Sequence, residues 1–155
     1  RKKMWRAQER RAAKAIGGYE TPLSGALNED GDARRMKGWR VECKRTVTDR
    51  YRLTQAVWSK LVTGSIESGE RPALFIDVDE GDKRFVLVIA DGTKGIEDPP
   101  KSVSIRSDKT KYGDTLPLWP PAKVLTEREF KQIVQEEEKD ENERDFRTRV
   151  EGATP

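Results

Sequence analysis

The chain has 155 residues, 31 of them Lys or Arg and 28 Asp or Glu; charged residues make up 38% and hydrophobic ones 34%. That is the length of one ordinary domain with a lean core, part of the chain being expected to stay outside it. The absence of His and a single Cys, Cys43, exclude Ser-His-Asp and Cys-His hydrolysis, His-ligated zinc, His-metal nucleases and any internal disulfide, leaving carboxylates, lysine and an oxygen-liganded metal as the available chemistry.

In chain order, Met4 to Ile16 is predicted helical, with Trp5, Ala12, Ala13 and Ile16 at helical spacing and Gly17-Gly18 closing it. Glu9 falls on the apolar face of this helix, where a carboxylate is costly unless it pairs with a neighbouring Arg or Lys or binds something. From Thr21 to Arg45 the pattern is strand, turn and strand, with Asn28-Glu29-Asp30-Gly31 supplying the turn. Along Trp39 to Lys44, period two sends Trp39, Val41 and Cys43 to one side and Arg40, Glu42 and Lys44 to the other, which makes Cys43 a core residue. Leu53 to Ile66 is predicted as the second helix, burying Leu53, Val57, Leu61 and Trp58. Ala73 to Val78 and Phe85 to Ala90 are short, apolar and β-branched like buried central strands, with a turn at Glu80-Gly81-Asp82.

After Asp91 the texture changes. Pro99-Pro100, Pro117 and Pro120-Pro121 mark an irregular stretch with one strand at Val103 to Ile105. Trp119, between prolines, is expected to pack rather than to stack on a base. Thr126 and Glu129 form a capping box ahead of Phe130, Ile133 and Val134, and the helix they start is expected to fray beyond Gln135. The organisation expected is α/β: a core over residues 1–91, a Pro-rich extension over 92–125 packed on it, and a C-terminal helix with an acidic, partly disordered tail over 126–155.

The net charge of +3 is uneven. From Thr126 onward there are six basic and ten acidic residues, a balance of −4, so the rest carries +7. Arg1, Lys2, Lys3, Arg6, Arg10, Arg11 and Lys14 stand against a single Glu9 in the first fourteen residues. Such a stripe is either a solvated face or a polyanion-binding one, whose affinity would fall steeply with salt. The longest apolar run, about Phe85 to Ala90, is far below the roughly 20 residues of a membrane span. The basic start lacks the apolar stretch of a signal peptide. The lone Cys fits a reducing compartment, so a cytoplasmic location is expected. The chain begins at Arg1 and not at Met, which leaves room for residues upstream.

Four ionisable residues stand out: Glu9, Asp32, Glu42 and Lys44. Glu42 and Lys44 share one face of a strand, and Asp32 lies ten residues earlier, across the turn at Met36 to Gly38, where it could come alongside. Asp30, two residues before, is its competitor if the hairpin slips. Clustered carboxylates repel unless a hard cation such as Mg²⁺ or Mn²⁺ sits between them. Such an ion activates a water and screens charge on a phosphate, and a lysine beside it can hold the nucleophile or stabilise the transition state.

These residues carry a resemblance. The chain is similar to the PD-(D/E)XK nuclease superfamily and, within it, to archaeal-type and phage Holliday junction resolvases. The similarity runs over about residues 5 to 90, through Glu9-Arg10-Arg11, Thr21-Pro22-Leu23-Ser24-Gly25-Ala26, Gly31-Asp32-Ala33 and Val41-Glu42-Cys43-Lys44-Arg45-Thr46. It continues through Tyr51-Arg52-Leu53 and Arg71-Pro72-Ala73-Leu74. Gly31 stands where the family's naming proline does.

The resemblance implies a restriction-endonuclease-like core, with a mixed central sheet flanked by helices. It implies Glu9, Asp32 and Glu42 as ligands of Mg²⁺ or Mn²⁺, Lys44 as the catalytic lysine and Ser24 as a loop serine near the scissile phosphate. Gln55 is a further polar position near the site. The expected function is a metal-dependent, structure-selective DNA endonuclease, a junction resolvase acting on four-way junctions as a homodimer. Lys2, Lys3, Arg6, Arg10, Arg45, Arg50 and Arg52 would contact the backbone. A nuclease of this fold with another DNA substrate, and a non-catalytic DNA-binding module of the same fold, stay as alternatives. A disordered charged adaptor fits the tail but not the apolar strands.

Overall fold

Alternation along residues 39–45 sets the centre of the molecule. Trp39, Val41 and Cys43 are 1%, 0% and 2% exposed and lie in one apolar cluster with Phe75 and Phe130, while Glu42 and Lys44 turn to the opposite face. The computed structural model describes residues 19–20, 33–34, 38–92 and 97–152. Among these the strands are β1 (Tyr19–Glu20), β2 (Ala33–Arg34), β3 (Trp39–Arg45), β4 (Arg50–Thr54), β5 (Arg71–Val78), β6 (Lys83–Ile89), β7 (Ser102–Arg106), β8 (Thr115–Leu116) and β9 (Ala122–Leu125). The helices are α1 (Gln55–Glu67) and α2 (Glu127–Gly152). The protein is α/β with a mixed sheet, in the order β1-β2-β3-β5-β6-β9-β8. β1, β2 and β3 form an antiparallel meander, and β3 then pairs in parallel with β5. A parallel neighbour needs a crossover, and β4 with α1 provides it. Among the described residues no helix is long and apolar enough to cross a membrane.

Each face of the sheet has its own cover. Leu74, Ile76, Phe85 and Leu87 on one face pack against Trp58, Leu61 and Val62 of α1 and against Leu53 and Ile105. The other face meets α2, whose Phe130 sets its ring edge-on to Trp39 and Phe75 at 4.9 and 5.5 Å.

The second helix begins later than its periodicity predicts. Thr54 caps it, its hydroxyl accepting from the Val57 N–H at 3.2 Å. Leu53 is fully buried but belongs to β4, and Val57 is only half-buried. Leu53, Val57 and Leu61 satisfy helical spacing, yet Tyr51 and Leu53 also satisfy period two, and pairing with β7 decides in favour of a strand. The two apolar strands appear as β5 and β6, an antiparallel hairpin. Its turn is a 3-10 segment at Asp79–Gly81, one residue earlier than expected, with Asp79, Glu80 and Gly81 at φ 51°, 55° and 94°.

The stretch after Asp91 is less irregular than its prolines suggest. It holds β7, β8 and β9, and β9 joins the main sheet beside β6. Four residues between Pro120-Pro121 and Thr126 are too few to display a period. The capping box is present in both directions: the Glu129 N–H donates to the Thr126 hydroxyl at 3.0 Å, and the Thr126 N–H donates to Glu129 Oε1 at 3.1 Å. The helix does not end near Gln135 but runs to Gly152. Glu137 anchors it by accepting from Trp39 Nε1 at 3.1 Å and pairing with Arg71. Beyond that point strong helix formers continue, with Asp140/Arg144, Glu143/Arg147 and Asp145/Arg149 at the i,i+4 spacing that supports an exposed helix.

Candidate active site

Successive residues of a strand point to opposite faces, so Glu42 and Lys44, two apart, must emerge together. Glu42 Oε1 lies 3.0 Å from Lys44 Nζ, and the side chains are 26% and 31% exposed, open enough for a substrate to reach. Their register partners on β5, Leu74 and Ile76, are fully buried and give the pair an apolar floor. Half-exposed charges beside such a floor interact more strongly than they would in bulk water.

Tyr51 comes to this pair from β4. It is half-buried against the α1-side core. Burial raises its hydroxyl pKa above the ordinary tyrosine value, with nearby Lys44 lowering it and nearby Glu42 raising it. The phenol is therefore a proton-bearing neighbour of both charged groups at neutral pH. Sequence reasoning assigned Tyr51 no role. Its neighbourhood arises because β4 leaves the main sheet to pair with β7, fifty residues on.

Among the other described carboxylates, Asp77 is the most buried, at 1% exposed. It shares the α2-side face of β5 with Ala73 and Phe75, opposite the Glu42 face. Its Oδ1 accepts from Arg84 Nε at 2.6 Å, and Arg84 NH1 reaches Glu127 at 2.7 Å. Burial works to lower the Arg84 pKa, but the hydrogen bonds and charges of Asp77 and Glu127 outweigh it and raise that pKa further. Asp77 thus ties the β5–β6 hairpin to the start of α2 and is not part of the Glu42 site.

Among the described basic residues expected to bind DNA, the structure sets Arg45 apart from Arg50 and Arg52. Arg45 continues the Trp39-Val41-Cys43 face and stands beside Asp77 in the register. Arg50 and Arg52 are exposed on the outer side of β4. Gln55 holds a loop: its amide nitrogen donates to the Trp119 carbonyl at 2.7 Å and to Ser59 Oγ at 2.8 Å, and its oxygen accepts from the Trp119 N–H at 2.9 Å. Trp119 itself is 53% exposed, contrary to the packing expected of it. The backbone on either side, held by Gln55 and by Trp58 donating to the Pro120 carbonyl at 2.7 Å, leaves the indole facing outward.

Lys2, Lys3, Arg6, Glu9, Arg10, Ser24 and Asp32 lie outside the described residues, as does Asp30. Among the described residues, Glu42 alone represents the expected acid set. A carboxylate oxygen suits a hard divalent cation, and among the described members of that set Glu42, 26% exposed, could offer one. No family model matches the chain, and no curated protein matches it.

Proposed function

We propose that the protein is a metal-dependent DNA endonuclease of restriction-endonuclease-like fold and, within that class, a resolvase that nicks four-way junctions symmetrically as a homodimer. One observation carries the reading: Glu42 and Lys44 lie 3.0 Å apart on the strand that ends a meander and then pairs in parallel with the strand after a helix. The register adds support. Ala33 pairs with Val41; Asp32 immediately precedes Ala33, and Glu42 immediately follows Val41.

In this reading Glu42, Asp32 and Glu9 hold Mg²⁺ or Mn²⁺, which when bound promotes ionisation of a water and offsets charge on the scissile phosphate. Lys44 supplies a fixed ammonium donor to the attacking oxygen or to a phosphate oxygen, its Nζ positioned by Glu42. Tyr51 adds a neutral hydroxyl beside them, and Ser24 contacts the phosphate. Two copies related by a two-fold axis present two such sites to opposite strands.

The test is a cleavage assay in Mg²⁺ on a synthetic four-way junction beside linear duplex and single strand. Paired, symmetric nicks confined to the junction are expected. Cutting of all three substrates keeps the nuclease and removes the resolvase assignment. Absence of cutting in both Mg²⁺ and Mn²⁺, with DNA binding retained, contradicts the enzyme reading and leaves a binding module.

A further inference from the structure

β4 and β7 form a two-stranded antiparallel ribbon outside the main sheet. Its inner positions, Tyr51, Leu53, Val103 and Ile105, pack on the α1-side core. Its outer positions are Arg, Ser and Thr throughout. Arg50 lies directly across from Arg106, Arg52 from Ser104 and Thr54 from Ser102. Like charges directly opposite on neighbouring strands destabilise a ribbon by up to about 1 kcal/mol. Asp49, 3.6 Å from Arg50, offsets this little because that pair is exposed; Asp108 holds the part-buried Arg106 at both Nε and NH2, each at 3.2 Å, so Arg50 is the less compensated of the two. Lys101, Lys109 and Lys111, all exposed, flank the second strand.

We infer that this outer face is a docking surface for the phosphate backbone of DNA, with Arg106 and Lys109, from the segment after Asp91, acting alongside Arg50 and Arg52. The argument for the occupant is charge and shape. A phosphate chain laid over the ribbon converts the Arg50–Arg106 repulsion into shared attraction. The face is an open surface, which suits an extended polyanion better than a small one. Its serines offer hydroxyl donors of the kind that bind phosphate oxygens; Arg52 Nε already bonds Ser102 Oγ at 3.0 Å. Its outward positions lack the apolar residues that hold a protein to a lipid surface.

The ribbon is also held at both ends. The Gln55 N–H donates to the Lys101 carbonyl at 2.8 Å, the Ser107 N–H to the Asp49 carbonyl at 2.9 Å, and Lys83 Nζ to the Ser107 carbonyl at 2.6 Å. Through Tyr51 its inner side neighbours Glu42 and Lys44, while its outer side is left to the basic residues. The inference rests on the nuclease reading only for the identity of the polyanion.

The experiment measures binding of a short labelled duplex by fluorescence anisotropy, without divalent metal and over a series of salt concentrations. It compares the full chain with the double variant Arg106→Ser/Lys109→Ser and with Lys131→Ser on α2, across the sheet. Each lost phosphate contact lowers the slope of log K against log salt by about 0.9. The double variant is therefore expected to lose nearly 2 from the slope and roughly tenfold or more in affinity at about 0.1 M salt, while Lys131→Ser binds as wild type does. Thermal unfolding of each variant checks that it folds, since Lys109 and Lys131 are exposed but the Arg106 side chain is only 27% exposed.

A wild-type slope and affinity in the double variant overturn the ribbon assignment without touching the nuclease reading. A reduced slope in a protein that cuts nothing in Mg²⁺ sustains the ribbon and removes the nuclease. Failure of the wild type to bind DNA at any salt, or tighter binding to anionic lipid vesicles than to DNA, overturns the inference.

Discussion

Phe130→Ala tests how the sheet and α2 hold each other. Phe130 is fully buried, and its ring meets Trp39 and Phe75 edge-on at 4.9 and 5.5 Å. Returning such a side chain to water costs about 1.5–3 kcal/mol in transfer free energy. The hole left between two aromatic rings, rigid members of the same cluster, raises the cost to about 3–5 kcal/mol. That is a large share of the roughly 5–15 kcal/mol by which a domain is stable. For a chain of this size each kcal/mol moves Tm by about 2–4 °C, so a fall of roughly 6–20 °C is expected in a circular-dichroism melt. The control is Phe146→Ala on the same helix. Phe146 is 68% exposed, and its loss should change stability by no more than about 0.5 kcal/mol. Equal effects from the two substitutions, or a Phe130→Ala melt within about 3 °C of wild type, which is under about 1.5 kcal/mol, would refute the reasoning that Phe130 anchors α2 to the sheet.

Asp77→Asn removes one partner of a buried ion pair and should cost about 3 kcal/mol, the low end of the usual range because Arg84 keeps Glu127; the urea midpoint measures it. The raised pKa of Tyr51 means that the folded protein holds this proton more tightly than the unfolded chain. Its contribution is therefore complete below about pH 10 and is lost as pH rises above that value. Tyr51→Phe should make the alkaline decline in stability shallower without abolishing it, since Tyr112 is shifted the same way by burial; Tm measured between neutral pH and pH ~11 checks the sign. Gln55→Ala removes the acceptor of the Trp119 N–H, so amide exchange at Trp119 should accelerate at a stability cost of about 1–2 kcal/mol.

What could be read from the sequence was whatever one element decides by itself. The alternation of Trp39 to Lys44 placed Cys43 in the core and Glu42 beside Lys44, because the period of a strand fixes its faces. Thr126 and Glu129 located a helix start through two local hydrogen bonds. The apolar runs in β5 and β6 needed no partner to be recognised as buried. Leu53 was misread because one residue satisfied two periods, and only its pairing with Val103 separates them. β9 was missed because four residues cannot show a pattern and its evidence is the neighbouring β6. The length of α2 was underestimated because an exposed helix rests on propensity and i,i+4 charges rather than on an apolar face. At the candidate site the acid–lysine pair was legible. The Tyr51 neighbourhood was not, since it depends on a ribbon that joins segments fifty residues apart.

The central claim is that Glu42 and Lys44 act on a phosphodiester. The most direct measurement is the initial rate of nicking of a four-way junction in Mg²⁺ by wild type, Glu42→Gln and Lys44→Ala, with junction affinity measured on the same preparations. Loss of a preorganised electrostatic group at a reacting centre costs about 10²–10³ in rate. A loss of at least that size is expected in each variant, with affinity held within about threefold, less than 1 kcal/mol in binding. A Lys44→Ala protein that nicks the junction at the wild-type rate would contradict the claim.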